Sequence, residues 1–485
     1  MNAPLRRLAV VVALLFASLL ISSTYVQYVS APSLNARTDN RRTQFKEFGR
    51  DRGPILVDGR PIAQSVEVDD PYTYQRKYTS AQMYSAVTGF YSIVYKPTGM
   101  EGATNDLLNG TADQLFYRRL SDLFTGREPQ GASVELTIDP KVQKAAWDAL
   151  GNQKGAVVAL DPKTGAILAM VSKPGYDPNA LAGHDVAKVT KAWNGLLDDP
   201  DRPLDNRAIA GRLYPPGSVF KVVTAAAALS SGDYTPDTLV DGPASLDLPQ
   251  TSASLPNDFS GACGPNDKVS LLDALRISCN TAFGSIGLDI GDDAIRAQAE
   301  KFGFGKALDV PLTVTPSIFP SDPNPPQTAQ SAIGQFDVRV SPLQIAMVSA
   351  GVANGGVVMR PQLVKDVLSA NGVDVIQRPQ PERFSDAVSG QVAADLTRMM
   401  VAVVDNGTGK RAQIPGVQVA GKTGTAQQGE GRPPNAWFTA FAPADDPKVA
   451  IAVVVEDGGA LGDAASGGRV AAPIAKQVIE AVLNR

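Results

Sequence analysis

The sequence predicts an α+β protein: one antiparallel sheet built from distant parts of the chain and covered by helices, behind a smaller region and an apolar leader. Residues 154–172 read as two strands about a turn, and residues 436–455 as two more, with helical stretches between the pairs. Strands at both ends of a segment, with helices between, close into one layered unit. The leader is a charge-free apolar run within residues 1–28, and the strand–helix pattern begins near residue 151. The expected division is therefore 1–28, 29–150 and 151–485.

Arg6 and Arg7 precede Leu8–Ile21, which holds no charge, and the uncharged run continues to Val26. That approaches the ~20 residues of a membrane span. Basic residues ahead of the span favour a cytoplasmic N-terminus, which puts the rest of the chain outside. A cleaved signal peptide is the alternative, because the strictly apolar part is short. The small-residue site Val29-Ser30-Ala31 comes late and precedes Pro32, so a single-pass, uncleaved anchor in the plasma membrane is expected.

Residues 35–52 are strongly charged, and Gly53–Arg60 reads as two short strands about the Asp58-Gly59 turn. Residues 66–132 show no catalytic constellation. Asp139-Pro140 supplies the acidic cap and first-turn proline of a helix running to Leu150. Lys154–Leu160 and Ala166–Ser172 then pair about Asp161–Gly165. Near the C-terminus, Gly416–Gly421 has strand character and leads into Lys422–Ala426. Two strands follow, Ala436–Ala442 and Val449–Val455, then an amphipathic helix carrying Val470, Ile474, Val478, Val482 and Leu483.

Composition narrows the function. A 44% hydrophobic content supports a sizeable core, and a net charge of −4 gives no nucleic-acid footprint. His184 is the single histidine, so neither a zinc cluster nor a histidine-based triad with a spare is available. It reads as a surface or loop residue, and no metal or cofactor is expected. The two cysteines, Cys263 and Cys279, are close in sequence, and an exported chain allows them to pair. Two buried thiols are the alternative.

Ser218 and Lys221 form the chain's one Ser-x-x-Lys, in Tyr214-Pro215-Pro216-Gly217-Ser218-Val219-Phe220-Lys221. Residues three apart share a helix face. A hydroxyl nucleophile needs a neighbour to take its proton, and a lysine does so when it is uncharged. A capping serine followed by a solvated lysine is the plain reading. Against it, Val222–Leu229 is small and apolar on every side, so Lys221 stands at the mouth of a buried helix. Burial there disfavours its charged form.

Two further motifs follow in order, Ser278-Cys279-Asn280 and Lys422-Thr423-Gly424-Thr425. Each is weak alone: Ser-x-Asn recurs at Ser369–Asn371 and Lys-Thr-Gly at Lys163–Gly165, both in turns. The ordered set resembles the penicillin-binding protein transpeptidases, which share it with serine β-lactamases. The likeness extends to the Arg-rich segment before Arg52-Gly53-Pro54, Asn206-Arg207-Ala208, Ser341-Pro342-Leu343-Gln344, Asn406-Gly407-Thr408-Gly409 and Trp437-Phe438. It covers essentially the whole chain. One anchor and no glycosyltransferase-sized module resemble the monofunctional class B kind. Size and the cysteine pair resemble the actinobacterial penicillin-binding protein A group.

The resemblance implies a transpeptidase/serine β-lactamase-like fold and a peptidoglycan D,D-transpeptidase that β-lactams acylate. Ser218 is then the nucleophile and Lys221 its base. Ser278 is a proton relay, Asn280 fixes substrate and Lys221, and Lys422 is a fixed cation for the terminal carboxylate. Thr423, Gly424 and Thr425 bind substrate, and the backbone N–H groups of Ser218 and Thr425 form the oxyanion hole. Trp437 is a packing residue, and Asp457-Gly458-Gly459 is a loop at the sheet's edge with no assigned role. Stem peptides, β-lactams and the membrane are the implied partners, with division or elongation proteins docking on residues 29–150. A D,D-carboxypeptidase or β-lactamase-type hydrolase, and a non-catalytic sensor, are the competing readings. No convincing Glu-x-x-Leu-Asn is found to activate a deacylating water.

Overall fold

The computed structural model describes residues 2–35, 48–115, 130–308, 310–429 and 431–485. Of the charged stretch at 35–52, residues 36–47 therefore lie outside the described residues. An apolar helix spans Asn2–Thr24 and continues to Val29, long and apolar enough to cross a membrane, with none of its span buried in the protein.

The main sheet has five strands in the order Ala420–Ala426, Asn435–Ala442, Val449–Val455, Gly155–Leu160, Ile167–Lys173. Every neighbouring pair is antiparallel, as the sequence predicts. The strands are apolar on both faces because both faces are covered. Val157, Ala159, Phe438, Ile451 and Val453 meet the helices Pro140–Leu150 and Ala471–Leu483. Their alternates Ala156, Val158, Trp437, Ala452 and Val454 join the larger core with Val219, Leu343 and Val348. Period-two alternation thus sorts one strand's residues into two cores.

Local chemistry accounts for the boundaries. Asp139 caps Pro140–Leu150 by accepting from the N–H groups of Lys141 and Val142. Val57 and Arg60 pair directly, and Asp58 and Gly59 both have positive φ, as a two-residue hairpin turn requires. The third motif differs from expectation. The strand starts at Ala420 and contains the motif, whereas Val417 makes only an isolated bridge to Ile414.

The second sheet interleaves distant segments. Its six strands run Val375–Gln377, Val364–Leu368, Ser133–Leu136, Ile55–Val57, Arg60–Glu67, Tyr74–Tyr78. Hydrogen bonding therefore crosses residue 151 in both directions. The helix Pro140–Leu150 packs on the main sheet, while Val364–Leu368 pairs with Ser133–Leu136. Sequence could not show this, because strand partners more than two hundred residues apart leave no local signal.

Arg52, Arg76 and Glu101 form a buried ion cluster. Glu101 accepts from Arg52 Nε at 2.7 Å and Arg76 Nε at 2.6 Å. Burial would raise the Glu101 pKa, but the two guanidinium groups outweigh it and hold the carboxylate ionised. His184 lies in a loop, as expected, but its side chain is not open to solvent. Its side chain is 8% exposed, with Nδ1 2.5 Å from Asp70 Oδ2 and its ring against Phe48 and Tyr72. Aromatic packing around a loop histidine has no sequence signature here.

Candidate active site

The nucleophile turn is clamped before it becomes a helix. Tyr214 and Val340 exchange backbone hydrogen bonds at 2.9 and 2.8 Å, and Gly217 N–H donates to Gly334 O at 2.9 Å. Gly217 has φ +55°, and a Cβ there would lie 2.9 Å from Thr425 O. Only glycine meets both demands cheaply. Gly217–Phe220 forms a 3₁₀ turn that passes into the helix Lys221–Ser231, buried from Lys221 to Leu229. Phe220 is the residue at that helix's N-terminal boundary, so Ser218 is no cap.

Behind the turn, Tyr214 Oη donates to Glu456 Oε1 at 2.6 Å, and Arg207 Nε donates to the same oxygen at 2.9 Å. Trp437 Nε1 donates to Pro215 O at 3.1 Å, and its ring meets Tyr214 edge-on. Trp437 is thus a packing residue, fully buried opposite Gly424 in the strand register. A Cβ at Gly424 would come within 3.0 Å of Pro216 O, Trp437 Cβ and Val219 Cγ1. The glycine makes room for the nucleophile turn, a reason beyond the substrate binding that the resemblance implies.

Lys221 is fully buried. Its Nζ donates to Asn280 Oδ1 at 2.7 Å, to Ser278 O at 2.8 Å and to Ser278 Oγ at 3.4 Å. The Ser218 hydroxyl is not among these partners. Ser278 ends the helix Leu271–Ile277 in the left-handed region at φ +64°, which turns its carbonyl and hydroxyl toward Lys221. Asn280 opens the helix Asn280–Lys301. Its Nδ2 donates to Pro256 O at 3.1 Å and Asp258 Oδ1 at 3.2 Å, which orients Oδ1 toward Lys221. Asn257 Oδ1 accepts from the N–H groups of Asn280 and Thr281. A disulfide joins Cys263 to Cys279 and so ties this 256–263 segment to the second motif.

Lys422 approaches from the other side, also fully buried, donating to Ser278 Oγ and Thr423 O at 2.8 Å each. Ser278 Oγ thus lies between the two amines. Burial lowers the Lys221 pKa to about 7, partly opposed by the Asp258 carboxylate. Lys422 is pushed well below its usual range by burial and then by Lys221, again opposed by Asp258. Burial and the neighbouring amine thus work against the fixed positive charge expected at Lys422. By strand alternation Lys422 and Gly424 face the nucleophile turn. Thr423 lies on the opposite side, its Oγ1 2.6 Å from Thr408 Oγ1, and is buried, whereas Thr425 is half-exposed.

Ser218, Lys221, Ser278, Asn280 and Lys422 thus gather at one end of the main sheet, where the strand Ala420–Ala426 is an edge. Sequence reasoning missed Asn257, Asp258, Glu456 and the Thr408 contact. Arg207 and Asn406–Gly409 stood out as family-like, but nothing local tied them to the site.

A model described as the penicillin binding protein transpeptidase domain matches residues 155–480. The chain belongs to the penicillin-binding protein transpeptidase family. A second model, the penicillin binding protein A dimerisation domain, matches residues 52–134. The peptidoglycan D,D-transpeptidase PbpA of Mycolicibacterium smegmatis is 47% identical over 100% of this chain and 99% of its own. PbpA of Mycobacterium tuberculosis is 45% identical over the same shares. The ceftriaxone acyl-enzyme complex of M. tuberculosis penicillin-binding protein A has a TM-score of 0.87 at 44% identity, over 90% of this chain and 100% of that one. Its penicillin G acyl-enzyme complex has a TM-score of 0.85. These likenesses place the chain in the class B branch.

Proposed function

We propose that Ser218 is the acylated residue of a peptidoglycan D,D-transpeptidase that works in cell-wall synthesis. One observation carries the assignment: a fully buried amine, Lys221, three residues after a serine that no capping role occupies, bonded to Ser278 and Asn280. In this mechanism Lys221, uncharged by burial, takes the Ser218 proton as Oγ attacks the carbonyl between the two terminal D-alanines. D-Alanine leaves, with Ser278 relaying a proton between the lysines and the departing amine. The backbone N–H groups of Ser218 and Thr425 receive the oxyanion, each worth ~3 kcal/mol in such sites. The donor's terminal carboxylate supplies the counter-anion that Lys422 lacks and returns it to the charged form. Thr425, the more open of the two threonines, binds that carboxylate, and Gly424 lets an extended peptide lie on the edge strand. A neighbouring stem-peptide amine then takes the acyl group.

β-Lactams present the same carbonyl and carboxylate, so they acylate Ser218. Residues 1–28 anchor the protein in the plasma membrane in a single pass, with 151–485 as the extracytoplasmic transpeptidase region. Residues 29–150 form a pedestal on which division or elongation proteins dock. Labelling with a fluorescent penicillin tests the core of this reading: wild type takes covalent label, and Ser218→Ala and Lys221→Ala do not. Label retained by the serine variant ends the assignment. Rapid release of bound penicillin would favour a hydrolase.

A further inference from the structure

One charged group at the site has no part in the steps above. Asp258 sits in the 256–263 segment that the disulfide and Asn257 hold against the second motif. Its carboxylate accepts from Asn280 Nδ2 at 3.2 Å through Oδ1 and is exposed to solvent. Among the described residues it forms no ion pair. Asn280 in turn holds Lys221 at 2.7 Å, so Asp258 stands one side chain away from the amine beside the nucleophile. Its field also reaches both Lys221 and Lys422.

The second substrate must be considered as it arrives. An alkyl amine with a pKa of about 10.4 is an ammonium in neutral water. Whenever one of the two buried amines holds a proton the floor is positive, which suits the donor's carboxylate and repels an incoming cation. The rim therefore needs one negative charge that the floor does not consume. Asp258 is open to solvent, fixed in direction by Asn280 and, among the described residues, without an ion pair.

Resting on the transpeptidase reading, we propose that Asp258 is the specificity-determining residue for the acceptor: its carboxylate receives the ammonium of the incoming stem peptide at the mouth of the site. The chemistry then balances simply. The ammonium releases one proton to solvent, and its nitrogen bonds to the acyl carbon. The ester bond to Ser218 Oγ breaks, and that oxygen takes a second proton from the nitrogen. Asp258 selects and orients, and forms no bond with the acyl group.

The test compares two nucleophiles on one acyl-enzyme, so it does not depend on how fast that intermediate forms. A synthetic thioester donor is partitioned between an amino-acid amide, cationic in water, and hydroxylamine, uncharged at neutral pH. In Asp258→Asn, which keeps an oxygen for Asn280, the ratio of transfer to the cationic over the uncharged nucleophile falls about tenfold, the scale of one charge-assisted hydrogen bond. Asp258→Glu recovers part of that ratio, and added salt reduces it in the wild type. A ratio within twofold of wild type in Asp258→Asn, or equal losses for both nucleophiles, overturns the proposal. A wild type that forms no acyl-enzyme from the thioester overturns the transpeptidase reading instead.

Discussion

Lys221 serves as a base only while it is uncharged, and burial is what brings that condition near neutrality. The sign of the pH dependence follows. Below about 7 the amine holds its proton and cannot take another, so acylation slows as pH falls, roughly tenfold per unit. Penicillin labelling rates across pH, with melting followed in parallel, check this; a flat profile through that region would remove Lys221 from the role. The residues that make this chemistry were legible because their motifs place them close in sequence or in a fixed order. Asp258 was not. It lies in an exposed loop more than thirty residues beyond Lys221, and only the bond from Asn280 brings it to the site. The burial that works against charge on Lys422 was hidden for a similar reason: a sequence shows a lysine but not how little water reaches it.

At the scale of elements, the nucleophile turn is a tight fit between an edge strand and a buried carboxylate. Gly217, Gly334 and Gly424 let backbone meet backbone, and Tyr214, Glu456 and Arg207 brace the turn from behind. Removing the phenol in Tyr214→Phe leaves Glu456 with Arg207 alone. The variant should lose about 1–3 kcal/mol of stability. A loosened turn should also slow acylation about tenfold at saturating β-lactam, with little change in half-saturation, since small misplacements of a nucleophile act on the chemical step. Rapid-mixing kinetics on the folded fraction separates the two effects; a fall in melting temperature with an unchanged saturating rate would make the brace purely structural. Sequence foretold the buried helix after Lys221 and the main-sheet hairpins, which announce themselves through apolar runs and turn residues. The brace joins positions 207, 214 and 456, too far apart for any period to connect.

Over the whole molecule, the division near residue 151 is a boundary in sequence pattern more than in hydrogen bonding. Pro140–Leu150 covers one face of the main sheet, and Val364–Leu368 completes the other sheet by pairing with Ser133–Leu136. A chain cut to 151–485 would therefore lose a covering helix and leave Val364–Leu368 without one of its two neighbours, exposing an unpaired edge. It should self-associate on size-exclusion chromatography, whereas a chain beginning at residue 52 should run as a well-defined species. A monodisperse 151–485 fragment with undiminished melting temperature would contradict this.

The shared sheet also bears on how load travels through the protein. A pull on Ile55–Val57 reaches the transpeptidase region through a ladder of backbone bonds, by way of Ser133–Leu136 and then Val364–Leu368. Displacement at that strand is thereby delivered to the segment that leads on from Leu368 toward the strand bearing Lys422.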